Sequence, residues 1–419
     1  MSSAPKAIRH VRWCCYTGMF IQALVINITP LLFIPLKNEF GLTFEQIGRL
    51  ILINFLTQLL VDLACTAVAD RMNPKPLIAA ANALSAAGLW IFAFSPFVLV
   101  SPYAGFVAGT ITFSVGCGLL EVLLSPLVNA LPAENKSGAM ALLHAFYPIG
   151  KVAVILATGL ALFLLGPASW PWVMVAWSVL PVVNTVAFLR AKLPRLADPD
   201  RRHTLRSMLG SPVLYGLLAA MALAGATEVT IAQWTSAYVE AALGYPKVIA
   251  DLVGFLLFGV GMIFGRLWFG FKGGHGNLGK VLLWSALLSM SACVVMAASP
   301  VPVLALLAIA FSGVFVSMLW PGTISLSAAR YPLAGASMFA LLAAAGDGGG
   351  AVMPWLVGVI ADQGGALGAT WAGNIFGPGA SLQSLGLRMA LLVAALCPLL
   401  MIPVVYLLVR KPRSPMRPG

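Results

Sequence analysis

The sequence predicts an all-α membrane protein with about twelve transmembrane helices in two similar six-helix bundles. The first observation is composition: 60% of the 419 residues are hydrophobic and 9% are charged, whereas a soluble domain carries about a quarter charged residues. The second is a series of apolar segments, each near the ~20 residues that a spanning helix needs. The third is that motifs of the first half of the chain recur in the second half.

Six apolar segments precede a polar, basic stretch, and six follow it. The predicted spans lie at about 11–36, 46–69, 76–97, 103–131, 138–165 and 170–192, and then at about 211–243, 248–271, 281–299, 301–328, 335–361 and 383–409. Apolar runs of this length indicate membrane helices. We therefore predict an N-terminal bundle over 1–192, a cytoplasmic linker over 193–210 and a C-terminal bundle over 211–419.

The distribution of basic residues predicts the orientation. All but five of the 25 Lys and Arg residues lie in segments that share one side of the membrane, and positive loops remain in the cytoplasm. Both termini are therefore predicted to be cytoplasmic, in an integral protein of a bacterial inner membrane. The net charge of +12 is attributed to this topology and not to nucleic acid. The six cysteines lack metal-ligand spacing, so no metal or cofactor is predicted.

Three pairs of segments support an internal repeat. GLLEVLLSP (118–126) aligns with GVFVSMLWP (313–321), and HAFYPIGK (144–151) aligns with FALLAAAGD (339–347). A fainter pair is NEFGLTFEQIG (38–48) with AALGYPKVIADLVG (241–254). Parallel repeats of six helices are typical of transporters that bind their substrate near the bilayer midplane between the two halves.

Ionisable side chains inside the predicted spans are the main functional candidates, because charges in the membrane are costly and usually functional. Glu121, Glu228 and Asp347 are predicted to couple proton movement, and Lys151 to line the same passage. The 1.5 Å rise per helical residue places Glu121, Lys151 and Asp347 near the midplane. A static ion pair of Lys151 with Glu121 or with Asp347 stays open. Asp62 is assigned a structural role.

Polar side chains at helical spacing predict the substrate contacts. Such stripes should face protein or water, since unsatisfied polar groups in hydrocarbon are unfavourable. Amides would bind hydroxyl groups and aromatic rings could stack on a sugar, although interior aromatics are usually packing residues. The predicted substrate-binding residues are Asn27, Gln58, Asn129, His144, Tyr147, Lys151, Gln233 and Trp234.

One predicted loop carries a family motif. TAVADRMNPKP (66–76) resembles the signature loop of the major facilitator superfamily, G-x-x-x-D-R-x-G-R-[RK], although it departs from the motif's glycines. A more degraded copy is FGRLWFG (264–270). The resemblance implies the major facilitator fold and a charged cytoplasmic gate formed by Asp70, Arg71, Lys75 and Arg266.

Within that superfamily the chain is most similar to the fucose–proton symporter family and related sugar permeases. GCGLLEVLLSPLVNAL (116–131) resembles the family's fourth-helix pattern, G-x-x-E-x-x-x-x-P, and GATEVTIAQW (225–234) and MLWPGTISLS (318–327) resemble its seventh and tenth helices. The resemblance implies that Glu121 takes part in proton coupling. The family's first helix can carry an aspartate, which is absent from YTGMFIQALVINITPLLFIP (16–35), so a two-acid relay through helices 1 and 4 is not expected.

The predicted function is secondary active transport of a sugar or sugar-like solute by alternating access, in symport with protons. The alternatives are a proton-driven exporter of amphiphilic compounds, a transporter of small organic anions (favoured by Lys151), sodium coupling, and a membrane receptor. An enzyme is not expected, because the chain contains neither HExxH nor GxSxG. The expected partners are a small-molecule substrate, protons or sodium, and membrane lipid, and the expected state is a monomer.

Overall fold

The computed structural model describes residues 6–68, 73–194, 205–273, 277–376 and 381–410. In these ranges, twelve helical spans are long and apolar enough to cross a membrane, which confirms the predicted all-α class and number of spans. Two of the spans are interrupted. The span Pro302–Arg330 breaks at Ser317 and Met318, and the span Leu382–Arg410 breaks at Ala395.

The chain divides into two compact units. The first contains the described residues up to Glu134, together with Phe146–Leu205 and Leu333–Leu341, and the second contains Asn135–Ala145, Arg206–Pro332 and the described residues from Leu342 onward. The predicted linker at 193–210 stays a prediction, because residues 195–204 lie outside the described ranges.

The first half of the chain supplies α1 (Lys6–Leu31), α2 (Phe33–Phe40), α3 (Phe44–Val68), α4 (Pro74–Val98), α5 (Pro102–Ala130), α6 (Lys136–Leu165) and α7 (Trp170–Arg190). The second half supplies α8 (Leu205–Leu209), α9 (Pro212–Ala241), α10 (Lys247–Trp268), α11 (Leu278–Ala298), α12 (Pro302–Val316), α13 (Leu319–Arg330), α14 (Ala336–Phe376), α15 (Leu382–Ala394) and α16 (Leu396–Arg410). A π-helical turn, Phe269–Gly273, follows α10.

Buried amides fix α1 within the first unit. The Nδ2 of Asn184 on α7 donates to the Oδ1 of Asn82 on α4 at 2.9 Å and to the carbonyl of Cys14 on α1 at 3.2 Å. The Nδ2 of Asn82 donates to the carbonyl of Ile78 at 2.8 Å. Interhelical hydrogen bonds of this kind contribute to association in lipid, where the hydrophobic effect does not act between helices. This network holds the helix that carries Gln22.

In the second unit, α9 and α14 pack with their backbones in contact. A Cβ atom added to Gly225 would lie 2.0 Å from the carbonyl oxygen of Gly346, and one added to Gly349 would lie 2.0 Å from that of Ala222. No side chain fits at such distances. The glycines around Asp347 therefore permit a close helix–helix contact, as small residues commonly do in membranes.

Adjacent glycines of α14 test this contact. Gly349→Ala is expected to lower the melting temperature of the purified protein, because the added methyl group forces α14 away from α9. Gly348→Ala is the matched control: a Cβ there meets nothing within 4 Å, and alanine favours a helix over glycine by about 1 kcal/mol. Thermal unfolding in detergent compares the two variants, and equal melting temperatures would contradict the close contact.

Candidate functional site

The first unit brings two intramembrane acids together. Carboxylate oxygens of Asp62 on α3 and Glu121 on α5 lie within 4.8 Å of one another. Asp62 is 0% exposed and Glu121 is half-buried. Two carboxyl groups this close together inside predicted spans are a candidate site for binding a proton. The role of Glu121 in proton coupling stays a prediction.

A glycine on α5 explains why the two acids meet. Gly118 lies one turn before Glu121, and a Cβ at Gly118 would lie 3.0 Å from the Cβ of Val61 and 3.3 Å from the carbonyl oxygen of Gln58. The backbone of α3 therefore approaches α5 closely at this level. Val61 immediately precedes Asp62, so the close approach brings the Asp62 carboxylate to the level of Glu121.

Gln22 on α1 contacts the pair. Its Nε2 donates to the Oε2 of Glu121 at 2.7 Å, and its backbone carbonyl accepts from the Sγ of Cys117 on α5 at 3.7 Å. The Gln22 side chain is 3% exposed, and its Oε1 has no hydrogen-bond partner among the described residues. A buried acceptor without a partner is unfavourable. It offers a position where a hydroxyl group of a bound molecule, or a water, can donate.

A second buried network lies further along α3. The Oδ1 of Asn54 accepts from the Nε2 of Gln58 at 2.8 Å and from the Oγ of Ser114 on α5 at 2.7 Å. Asn54 and Gln58 share a helical face with Asp62, at four-residue spacing. The network orients Gln58, a predicted substrate-binding residue, by fixing its amide group.

The remaining predicted substrate contacts of the first unit lie on three helices. Asn27 on α1 donates from its Nδ2 to the carbonyl of Ala23 in the same helix at 2.7 Å. Asn129 on α5, and Tyr147 and Lys151 on α6, are half-buried. Their roles in substrate binding stay predictions.

In the second unit, Glu228 on α9 and Arg266 on α10 form an ion pair in which one guanidinium nitrogen contacts both carboxylate oxygens. The Nη2 of Arg266 lies 2.9 Å from Oε1 and 2.8 Å from Oε2 of Glu228. Arg266 is 1% exposed and lies inside α10, whereas the sequence motif suggested a loop. Charge-assisted hydrogen bonds of this kind are strong, so Glu228 holds the Arg266 guanidinium in place. The role of Glu228 in proton coupling stays a prediction.

The other predicted residues of the second unit are not all buried. His144 is buried on α6, and Asp347 is half-buried on α14. Gln233 on α9 is exposed, and the Nε1 of Trp234 donates to the carbonyl of Pro354 on α14 at 3.1 Å. Trp234 therefore uses its polar atom in the contact between α9 and α14.

Of the predicted cytoplasmic gate, Asp70 and Arg71 lie outside the described residues. Lys75 is half-buried in the first turn of α4, where its backbone N–H donates to the Oδ1 of the capping residue Asn73 at 3.1 Å. Arg266 takes part in the ion pair with Glu228. The gating role of these residues stays a prediction.

Sequence reasoning missed Asp62 and Gln22 as members of the site. A signal for Asp62 was present, because Asn54, Gln58 and Asp62 recur every four residues and so form one polar face. Gln22 had no comparable signal, since a lone glutamine in an apolar helix does not reveal which carboxylate it meets. The ion pair of Glu228 with Arg266 could have been suspected, because opposite charges within spans usually pair.

Comparison with known proteins gives one family. The family model described as Major Facilitator Superfamily matches residues 15–278, and no curated protein matches. Among solved structures, the E. coli fucose:proton symporter FucP superposes with a TM-score of 0.76 at 16% identity, covering 96% of this chain and 99% of that one.

Two further structures share the fold. The proton:xylose symporter XylE, bound to 6-bromo-6-deoxy-D-glucose, gives a TM-score of 0.75 at 14% identity, with 95% of this chain and 96% of that chain covered. The human organic anion transporter MFSD10 (TETRAN) gives 0.70 at 14% identity, with 96% and 100% covered. At these identities the likeness shows a common fold.

Proposed function

The chain belongs to the Major Facilitator Superfamily, and from that premise we propose that it moves a sugar or sugar-like solute across the membrane in symport with protons. It is an integral membrane transporter and not an enzyme. Transport proceeds by alternating access, in a bacterial inner membrane with both termini in the cytoplasm, and the working unit is a monomer.

The carboxyl pair of Asp62 and Glu121 carries the proposal of proton coupling. When the pair holds one proton it bears one negative charge instead of two, which suits a site closed to water. When the proton leaves, two like charges within 4.8 Å repel in a poorly solvated region, which favours a conformation that admits water. The protonation state thus biases the protein between conformations, and this bias is the requirement for coupling.

Two observations support a hydroxyl-bearing solute. The Oε1 of Gln22 has no hydrogen-bond partner in the part of the chain that the structure describes. It can accept from a hydroxyl beside the carboxyl pair, so one region would bind both proton and solute. Two transporters with the same fold are a fucose:proton symporter and a proton:xylose symporter. Asn129, Tyr147 and Lys151 are the further polar side chains that we assign to the solute.

An organic anion is the second candidate solute. Lys151 is a half-buried ammonium on α6, and a cation held within a membrane helix favours a negatively charged ligand. The likeness to the organic anion transporter MFSD10 is compatible with this alternative.

Uptake into proteoliposomes tests the function. We expect that an imposed pH gradient, alkaline inside, drives accumulation of a labelled solute from a panel of L-fucose, D-xylose, D-glucose and small organic acids. A sodium gradient at equal pH serves as the control and should have no effect. Accumulation driven by the sodium gradient would identify sodium as the coupling ion. Accumulation of organic acids alone would favour the second candidate solute. No accumulation of any solute would contradict coupled symport.

A further inference from the structure

Two of the prolines in the described helices, one in α6 and one in the first turn of α13, remove a backbone hydrogen bond next to Arg266. Proline has no N–H, so the carbonyl four residues earlier loses its helical donor. Pro148 in α6 has this effect on the carbonyl of His144, and Pro321 in α13 has it on the carbonyl of Ser317. Ser317 lies in the break between α12 and α13. Membrane helices tolerate such positions where neighbouring groups supply the missing hydrogen bond.

One side chain supplies a donor to both of these carbonyls. Arg266 donates from Nη1 to the oxygen of His144 at 2.9 Å and from Nε to the oxygen of Ser317 at 3.0 Å. The preceding residue permits the approach, because a Cβ at Gly265 would lie 2.3 Å from the Oγ of Ser317. The α10 backbone therefore lies directly against the broken span.

Glu228 fixes the guanidinium that makes these contacts. Its two carboxylate oxygens both accept from Nη2 of Arg266, so the side chain is oriented by four hydrogen bonds to three other helical segments. A planar guanidinium can direct its donors in several fixed directions at once, which the ammonium of lysine does not reproduce. Glu228 also neutralises a charge that is otherwise buried within the helices.

We propose that Arg266 is a positioning residue that holds two proline bends, at His144–Pro148 and at Ser317–Pro321, through one guanidinium. The guanidinium of Arg266 and its hydrogen bonds to the carbonyls of His144 and Ser317 are called the clasp below. Its consequence for the transport rate rests on the proposed function, whereas the clasp itself does not.

Hydrogen–deuterium exchange on the purified protein tests the clasp without any solute. Arg266→Lys should raise the exchange rate of backbone amides near both bends by about tenfold, the factor that corresponds to about 1.4 kcal/mol. Pro321→Ala restores an N–H that reaches the carbonyl of Ser317. In that background Arg266→Lys should no longer accelerate exchange at the α12–α13 break, while the acceleration in α6 persists. In the Pro148→Ala background, Arg266→Lys should no longer accelerate exchange in α6, while the acceleration at the α12–α13 break persists.

Pro181→Ala is the matched control, because Pro181 lies inside α7 and the carbonyl four residues before it is not one that Arg266 binds. In this background, Arg266→Lys should still accelerate exchange both in α6 and at the α12–α13 break. A rise spread over the whole second unit, or a local rise that no proline replacement removes, would overturn the proposal. If Arg266→Lys gives no folded protein, recovery of monodisperse protein by Pro148→Ala with Pro321→Ala supports the clasp, and failure to recover it overturns the clasp.

The effect of the clasp on transport is measured separately, by uptake kinetics. For a solute that the wild type accumulates, Arg266→Lys should lower the maximal uptake rate more than it raises the half-saturating concentration. Arg266 itself binds the backbone carbonyls of His144 and Ser317 and the carboxylate of Glu228, and it is not among the side chains assigned to the solute. A raised half-saturating concentration with an unchanged maximal rate would contradict this step. A chain that transports nothing would refute the proposed function while the exchange experiment still decides the clasp.

Discussion

Glu121→Gln is expected to abolish accumulation driven by a pH gradient while solute exchange at equal pH continues. With one proton per solute, a gradient of one pH unit can support about tenfold accumulation, since a factor of ten corresponds to about 1.4 kcal/mol. Glutamine cannot release a proton, so the accumulation ratio should fall to about one. Exchange of labelled for unlabelled solute needs no net proton movement and should persist. Proteoliposome uptake measures both quantities.

The matched control for this experiment is Glu134→Gln, because Glu134 is an exposed carboxylate between α5 and α6. It should accumulate solute like the wild type. Asp62→Asn should also lower the accumulation ratio, because it removes the second charge that repels Glu121 when the proton leaves. Gradient-driven accumulation by Glu121→Gln at the wild-type level would remove Glu121 from the coupling mechanism.

Glu228→Gln is expected to destabilise the protein strongly without removing proton coupling. Breaking a buried ion pair from one side leaves an uncompensated charge, here on Arg266, and typically costs about 3–5 kcal/mol. The apparent melting temperature in detergent should therefore fall well below those of the wild type and of Glu134→Gln. Protein that is reconstituted at low temperature should still accumulate solute in response to the pH gradient.

The opposite pattern would support the coupling role that the sequence predicts for Glu228. If Glu228→Gln kept the wild-type melting temperature and lost gradient-driven accumulation, Glu228 would be a proton carrier and its contact with Arg266 incidental. Loss of both properties in folded protein would assign the ion pair a role in coupling as well as in stability.

The fold class and number of spans were predictable, because hydropathy and the length needed to cross a bilayer act locally on the sequence. The breaks at Ser317 and at Ala395 were not predicted. A hydropathy profile averages over about 20 residues and does not register a lost backbone hydrogen bond. The sequence did contain a local cause at the first break, Pro321, four residues after Ser317.

The site was predictable only in part. Charged residues are rare in apolar spans and are therefore easy to find in the sequence, but the sequence does not show which side chains they contact. Lys151 was considered as the partner of Glu121 or of Asp347, while Asp62 was assigned a structural role. The contact of Asp62 with Glu121 depends on how closely α3 approaches α5 at Gly118, which is a property of packing. Likewise, the partners of Arg266 lie 38 to 122 residues away in the chain, so only the folded structure reveals the clasp.

Infrared difference spectroscopy of the reconstituted protein between acid and alkaline pH tests most directly whether Asp62 and Glu121 share a titrating proton. The wild type should show the carbonyl band of a protonated carboxyl group at acid pH, and Glu121→Gln and Asp62→Asn should each alter or remove that band while Glu134→Gln leaves it in place. An identical band in the wild type and in both pair variants would contradict the proton-coupling mechanism.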